Sequence, residues 1–181
     1  MTKLTYIGAF GLAMACSVSA PALAAGTTAG ASITNTATVD FQVGGVSQVQ
    51  QSASDTFVVD RKINLLVEEV GTVTTEVVPG QLNAITTFQV TNTSNEVLDF
   101  LLAATQITGG TAAHGGTDTF NVTNVRVYRD NPLTGTVGSY DAGDALVTYI
   151  DELAADATAR IFVRSDVPTG LANNAVAGVQ L

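Results

Sequence analysis

One pattern limits what this chain can become: apolar and polar residues alternate in short runs rich in β-branched side chains, and almost nothing helical interrupts them. Ile33, Ala37, Val39 and Phe41 share one parity, while Ser32, Thr34, Thr36, Thr38 and Asp40 share the other. A period of two sends successive side chains to opposite faces of an extended strand. Thr occurs 26 times and Val 23 times in 181 residues, so more than a quarter of the chain is of two types that favour strand over helix. The alternation predicts a half-buried strand over 33–41, a turn at Gly44-Gly45 and a hairpin partner at 56–59. Further strands are expected at 63–70, 72–78, 84–91, 97–103, 122–128, 145–150, 157–163 and 175–181. Pro79-Gly80, Asn92-Thr93-Ser94-Asn95 and the Gly-rich stretch 109–116 separate them. About nine strands with turns between them predict an all-β, antiparallel, immunoglobulin-like β-sandwich. The one helix-compatible run, 151–156, is too short to stand as a helix and is expected to be a turn or a single helical turn.

The amino terminus reads as an address. Lys3 precedes an apolar run from Leu4 to Ala15, and Pro21-Ala22-Leu23-Ala24-Ala25 supplies the small residues that a signal peptidase reads. This is a secretory leader with cleavage expected after Ala24. An apolar run of about a dozen residues is too short to cross a hydrocarbon core of ~30 Å. Lipidation at Cys16 is disfavoured because Ala13 stands where a lipobox carries Leu. Residues 1–24 are thus a leader, 25–60 an N-terminal hairpin region, and 61–181 the sandwich. Export to the cell surface or the extracellular space follows, with the periplasm as the other destination. Cys16 leaves with the leader, so the mature chain must rely on its core rather than on disulfides. No membrane span is expected in it.

Composition removes several functions. With one His and one Cys, no His/Cys metal cage or haem attachment can be assembled. Seven cations against 16 acidic residues, for a net charge of -9, make no basic patch, so nucleic acid is not an expected partner. No nucleophile, base and orienting group fall into a catalytic pattern, and the chain is expected not to be an enzyme. Without Trp, a carbohydrate-stacking platform is also disfavoured.

The two ends share a pattern. Leu171, Asn173, Ala175 and Val179 repeat Ile33, Asn35, Ala37 and Phe41 at an offset of 138 residues. If 27–60 is the last hairpin of one sandwich unit, 171–181 begins the equivalent hairpin of the next. The last hairpin would then be truncated, and either its open edge is filled by another chain or the sequence is a fragment of a longer repetitive protein.

Several short motifs carry a family resemblance. Thr91-Asn92-Thr93-Ser94-Asn95 after a Thr/Val strand resembles the VTNTGN signature of DUF11-like conserved repeats of bacterial surface proteins. Val77-Val78-Pro79-Gly80 is similar to the PG turn before that strand. Leu153-Ala154-Ala155-Asp156 with the strand 157–163 resembles the family's later strand, and 33–39 its closing NTATV strand. The resemblance covers most of 30–181. It implies an immunoglobulin-like sandwich acting as a structural or adhesive module, partnered by neighbouring like domains or other surface proteins, with no catalytic residues to transfer. The Gly/His loop at 109–116 departs from the pattern. The alternatives are a fibre subunit completed by strand donation from a neighbour and a Ca2+-dependent binding domain.

One loop is a candidate metal site. Asp130, Asn131, Asp141 and Asp144 surround Gly turns, the oxygen-rich arrangement a hard cation requires, and Ca2+ is the only cofactor the sequence suggests. Gly135 falls at the sixth position of a Ca2+-type loop. Pro132 occupies a ligand position, however, and Asp141 replaces the usual bidentate Glu at the twelfth. The competing reading is an ordinary Asx/Gly turn. His114 is expected as a solvated loop residue, and the pairs Glu68-Glu69 and Asp151-Glu152 as solubilising charges, since neighbours on a strand face opposite ways. Arg61, Lys62, Arg126 and Arg129 are expected at strand edges or on the surface.

Overall fold

The computed structural model describes residues 26–181; the expected leader and its cleavage point lie outside them. The described residues contain thirteen strands and no helix. Strands β1 (Ser32–Val39), β2 (Gln42–Val43), β3 (Val46–Ser47) and β4 (Gln51–Val58) form one long hairpin. Its register runs from Ser32 opposite Val58 to Val39 opposite Gln51. Gly44 and Gly45, at φ 60° and 80°, close the tip. A two-residue turn whose twist suits antiparallel strands needs positive φ at both positions, which glycine adopts without steric cost.

The body is a sandwich. Its larger layer is a five-stranded antiparallel sheet built from β5 (Leu65–Glu69), β6 (Ala84–Asn92), β9 (Thr123–Arg129), β10 (Ala145–Leu146) and β12 (Thr158–Asp166), in the order β10-β9-β12-β6-β5. The second layer comprises two pairs. β7 (Leu98–Leu101) pairs with β11 (Tyr149–Leu153), and β8 (Thr105–Gln106) pairs with β13 (Val179–Gln180). Phe88, Val90, Val127, Ala159, Ile161 and Val163 of the large sheet pack against Phe100, Ile150 and Leu153 of the second layer. Val179 and Leu181 add to the same core from the chain's last residues. Alternation makes this possible: on β12, Ala159, Ile161, Val163 and Ser165 all face inward.

Four expectations are corrected. The strand expected at 72–78 does not form: Gly71 and Thr72 take φ of 111° and 54°, and the segment finds no ladder partner. The expected turn at 151–156 begins instead as strand β11, and the turn follows at 154–157, with Asp156 at φ 59°. In β11, Glu152 at φ 47° accompanies a register shift, so Ile150 and Leu153 both reach the core although they differ in parity. The expected strand at 175–181 shrinks to two residues, after a turn in which Asn174 takes φ 61°. Finally, the strand expected to be half-buried in the first hairpin is not. Every residue of β4, and all of β1 except Ile33, is exposed, because no second layer faces this hairpin.

Candidate functional site

Three places carry unusual side-chain arrangements, and the first is a polar knot at the root of the arm. Asn92 ends β6 fully buried. Its amide donates to the carbonyls of Leu153 (2.8 Å) and Glu96 (2.9 Å), and its oxygen accepts the N–H of Ser94 (3.0 Å). Ser94 is also buried, and its hydroxyl joins both the N–H and the carbonyl of Asn64 at 2.8 Å. Asn95 reaches outward: its amide donates to the carbonyls of Thr27 and Asp60, and its oxygen accepts the Lys62 N–H. Arg61 pairs with Glu96 beside it. The turn motif thus ties the two ends of the arm to the sandwich. Beyond that root the arm stands in solvent with Val43, Val46 and Val49 between 62% and 81% exposed. Phe41, Phe57 and Val58 are exposed as well.

The second place is the loop between β9 and β10, where Asp130, Asn131, Asp141 and Asp144 come together. Each of its carboxylates faces backbone N–H groups. Asp141 accepts from Thr136 and Gly143, both at 2.7 Å, and those bonds hold its carboxyl below the usual carboxylate range. Asp144 accepts from Asn131 and from Asp141, while Asp130 accepts from Gly138 at 2.7 Å. Asn131 accepts from Leu133 and donates to the Gly143 carbonyl. Among the described residues no group of three or more His, Cys, Asp or Glu side chains is arranged to hold a metal ion. Of these carboxylate oxygens only Oδ1 of Asp130 is without a hydrogen-bond partner, and it is buried; a Ca2+ ion would share the others with the N–H groups they accept.

The folded loop covers the outer face of the large sheet. Tyr140 meets Phe162 edge-on at 6.0 Å and Tyr128 at 5.0 Å, and its hydroxyl accepts from Arg164 (3.2 Å). Arg164 also lies over the Tyr128 ring, 5.3 Å from its centre. Phe162 points away from the sandwich core yet is fully buried, because this loop covers it.

The third place is a cleft of about 550 Å³ between the layers, at the end of the sandwich remote from the knot. Ala84, Thr86 and Phe88 of β6 line one side of it, and Gly178, Val179 and Leu181 line the other. Ile107, Phe120, Val122 and Val167 extend its apolar wall, and hydroxyls of Thr74, Thr75, Thr111 and Ser165 are spaced among them. At its lip, the His114 ring nitrogen pairs with the Glu69 carboxylate. His114 is an exposed loop residue, as expected, and what the sequence does not indicate is its partner: its side chain is 28% exposed and that of Glu69 21%. Asp118, its near neighbour in sequence, points elsewhere. Buried, it accepts the N–H groups of Gly109 (3.0 Å) and Gly178 (2.8 Å), fastening the glycine loop to the last strand. Neither the cleft nor the His114–Glu69 pair was visible to sequence reasoning, since 45 residues separate the two side chains. The cleft can accept apolar side chains and hydrogen-bond to polar groups at its edges.

No family model, curated protein or solved structure matches this chain.

Proposed function

We propose that the protein is an exported, non-enzymatic structural or adhesive module of a bacterial surface or extracellular protein, acting by attachment to neighbouring like domains or other surface proteins. The observation that carries this reading is the arm. An isolated two-stranded hairpin is marginal in water, and this one leaves its Val and Phe side chains without a covering layer. Such a surface is suited to burial against a partner. The leader-like residues 1–24 support export.

The reading is tested by removing the arm alone. Ala31 and Val59 are already joined, with the Val59 N–H donating to the Ala31 carbonyl at 2.8 Å. An Asn-Gly turn replacing 32–58 therefore closes the gap without disturbing the knot. The excised chain is expected to melt within about 3 °C of the intact one, since the arm adds nothing to the sandwich core. Its attachment to the surface of the producing cells, measured by pull-down of labelled protein, should be lost. Retention of full attachment would refute the proposal.

A further inference from the structure

The arm and the cleft are both incomplete, and they lie at opposite ends of the same strand. The arm is rooted where β6 ends, at Asn92, and the cleft opens where β6 begins, at Ala84. Eight residue steps in a strand span roughly 27 Å. We propose that the arm tip of one copy seats in the interlayer cleft of the next, joining copies head to tail. The inference rests on the reading of the arm as an attachment device and names its partner: a second copy of this chain.

Two observations favour that occupant. The tip offers Phe41, Val43, Val46 and Val49, all exposed, and the cleft offers Val67 and Val77, also exposed, with the half-buried Ile107 and Phe120. Each would remove from water the apolar surface that the other leaves open. Charge points to the same part of the arm. The chain carries a net charge of -9, so two copies repel, yet no ionisable residue lies between Asp40 and Asp55. The tip is the stretch of arm that can enter a desolvated cleft without burying a charge.

Because tip and cleft are different surfaces at opposite poles, the contact is heterologous and propagates. Each copy that donates a tip still offers an empty cleft. The expected product is an open series of oligomers rather than a closed dimer.

Cysteine cross-linking tests this with the full chain in a Cys16→Ser background, which removes its one native thiol. Val46→Cys marks the tip and Ala113→Cys the rim of the cleft. Mixed, the two variants should form the unlike disulfide at least about fivefold over either like pair. Without cross-linking, light scattering should show species beyond the dimer that grow with concentration. Val46→Asp should abolish that growth while leaving the melting temperature within about 2 °C, so that a folding defect is not mistaken for lost assembly. Like pairs through Val46→Cys alone would mean arm-to-arm association and would overturn the inference. So would a monomer at high concentration, or a small apolar molecule recovered from the cleft of a monomeric chain. If cells still capture the protein while the unlike disulfide fails to form, attachment stands and the head-to-tail contact falls. If both are absent, both proposals fall.

Discussion

At the scale of the residue, buried polar groups do as much to define this molecule as its apolar ones. Asn92 looked in sequence like one more turn former. In the fold it is fully buried and satisfies two carbonyls and an N–H. Leaving those groups unpaired costs more than a neutral hydrogen bond gains. Asn92→Ala is therefore expected to destabilise the sandwich by about 3 kcal/mol in urea unfolding. Asn95→Ala, whose contacts lie at the surface, should cost under about 1 kcal/mol and free the arm root. Two aspartates contribute to the acid limb. The N–H groups of Thr136 and Gly143 lower Asp141, and the N–H of Asn83 with the amide of Asn124 lowers Asp166. A depressed folded pKa contributes stability that is present above the unfolded value, near 3.9, and is lost as pH falls through the folded value. Melting temperature should thus be nearly level from pH 7 to 5 and drop below about pH 4. The double variant Asp141→Asn/Asp166→Asn should melt lower at pH 7 and show a shallower acid decline.

At the scale of the element, strands of similar composition meet different fates. β12 and the first hairpin both alternate, both contain Phe and Val, and both read as strand. β12 lies between β6 and β9, with a layer on one face and the loop carrying Tyr140 on the other. β1 has only β4. Local opening follows burial and pairing, so amide exchange should separate them. Amides of β6 and β12 are expected to exchange at rates set by global unfolding, and those of β1 and β4 at least a hundredfold faster in the dissociated chain. Equal protection in both would show that the arm is held by more than its own ladder. The bulge in β11 makes a similar point. A strict two-residue period cannot bring Ile150 and Leu153 to one face, and the sequence offers no mark that Glu152 leaves the strand conformation.

At the scale of the whole molecule, the arrangement has a direction. The sandwich has an arm at one pole and an open interlayer cleft at the other, and its outer face is closed by a loop whose carboxylates bond to its own backbone. Excision of the arm, cross-linking between tip and cleft, and light scattering all address this polarity.

The amino-acid order by itself determined the all-β class, the antiparallel pairing of the first hairpin with its Gly44-Gly45 turn, and the approximate position of most long strands. Those features depend on neighbours one to four residues apart: parity, β-branching and positive-φ glycine turns. It also brought Asp130, Asn131, Asp141 and Asp144 to one loop, because they are close in the chain. Tertiary structure alone decided what those oxygens accept, that Asn92 is a buried knot, that His114 meets Glu69, and that the first hairpin stands bare. Each of these depends on which surfaces face one another across the layers. Side-chain parity states that a strand has two faces, but only the packing of distant segments decides whether anything covers them.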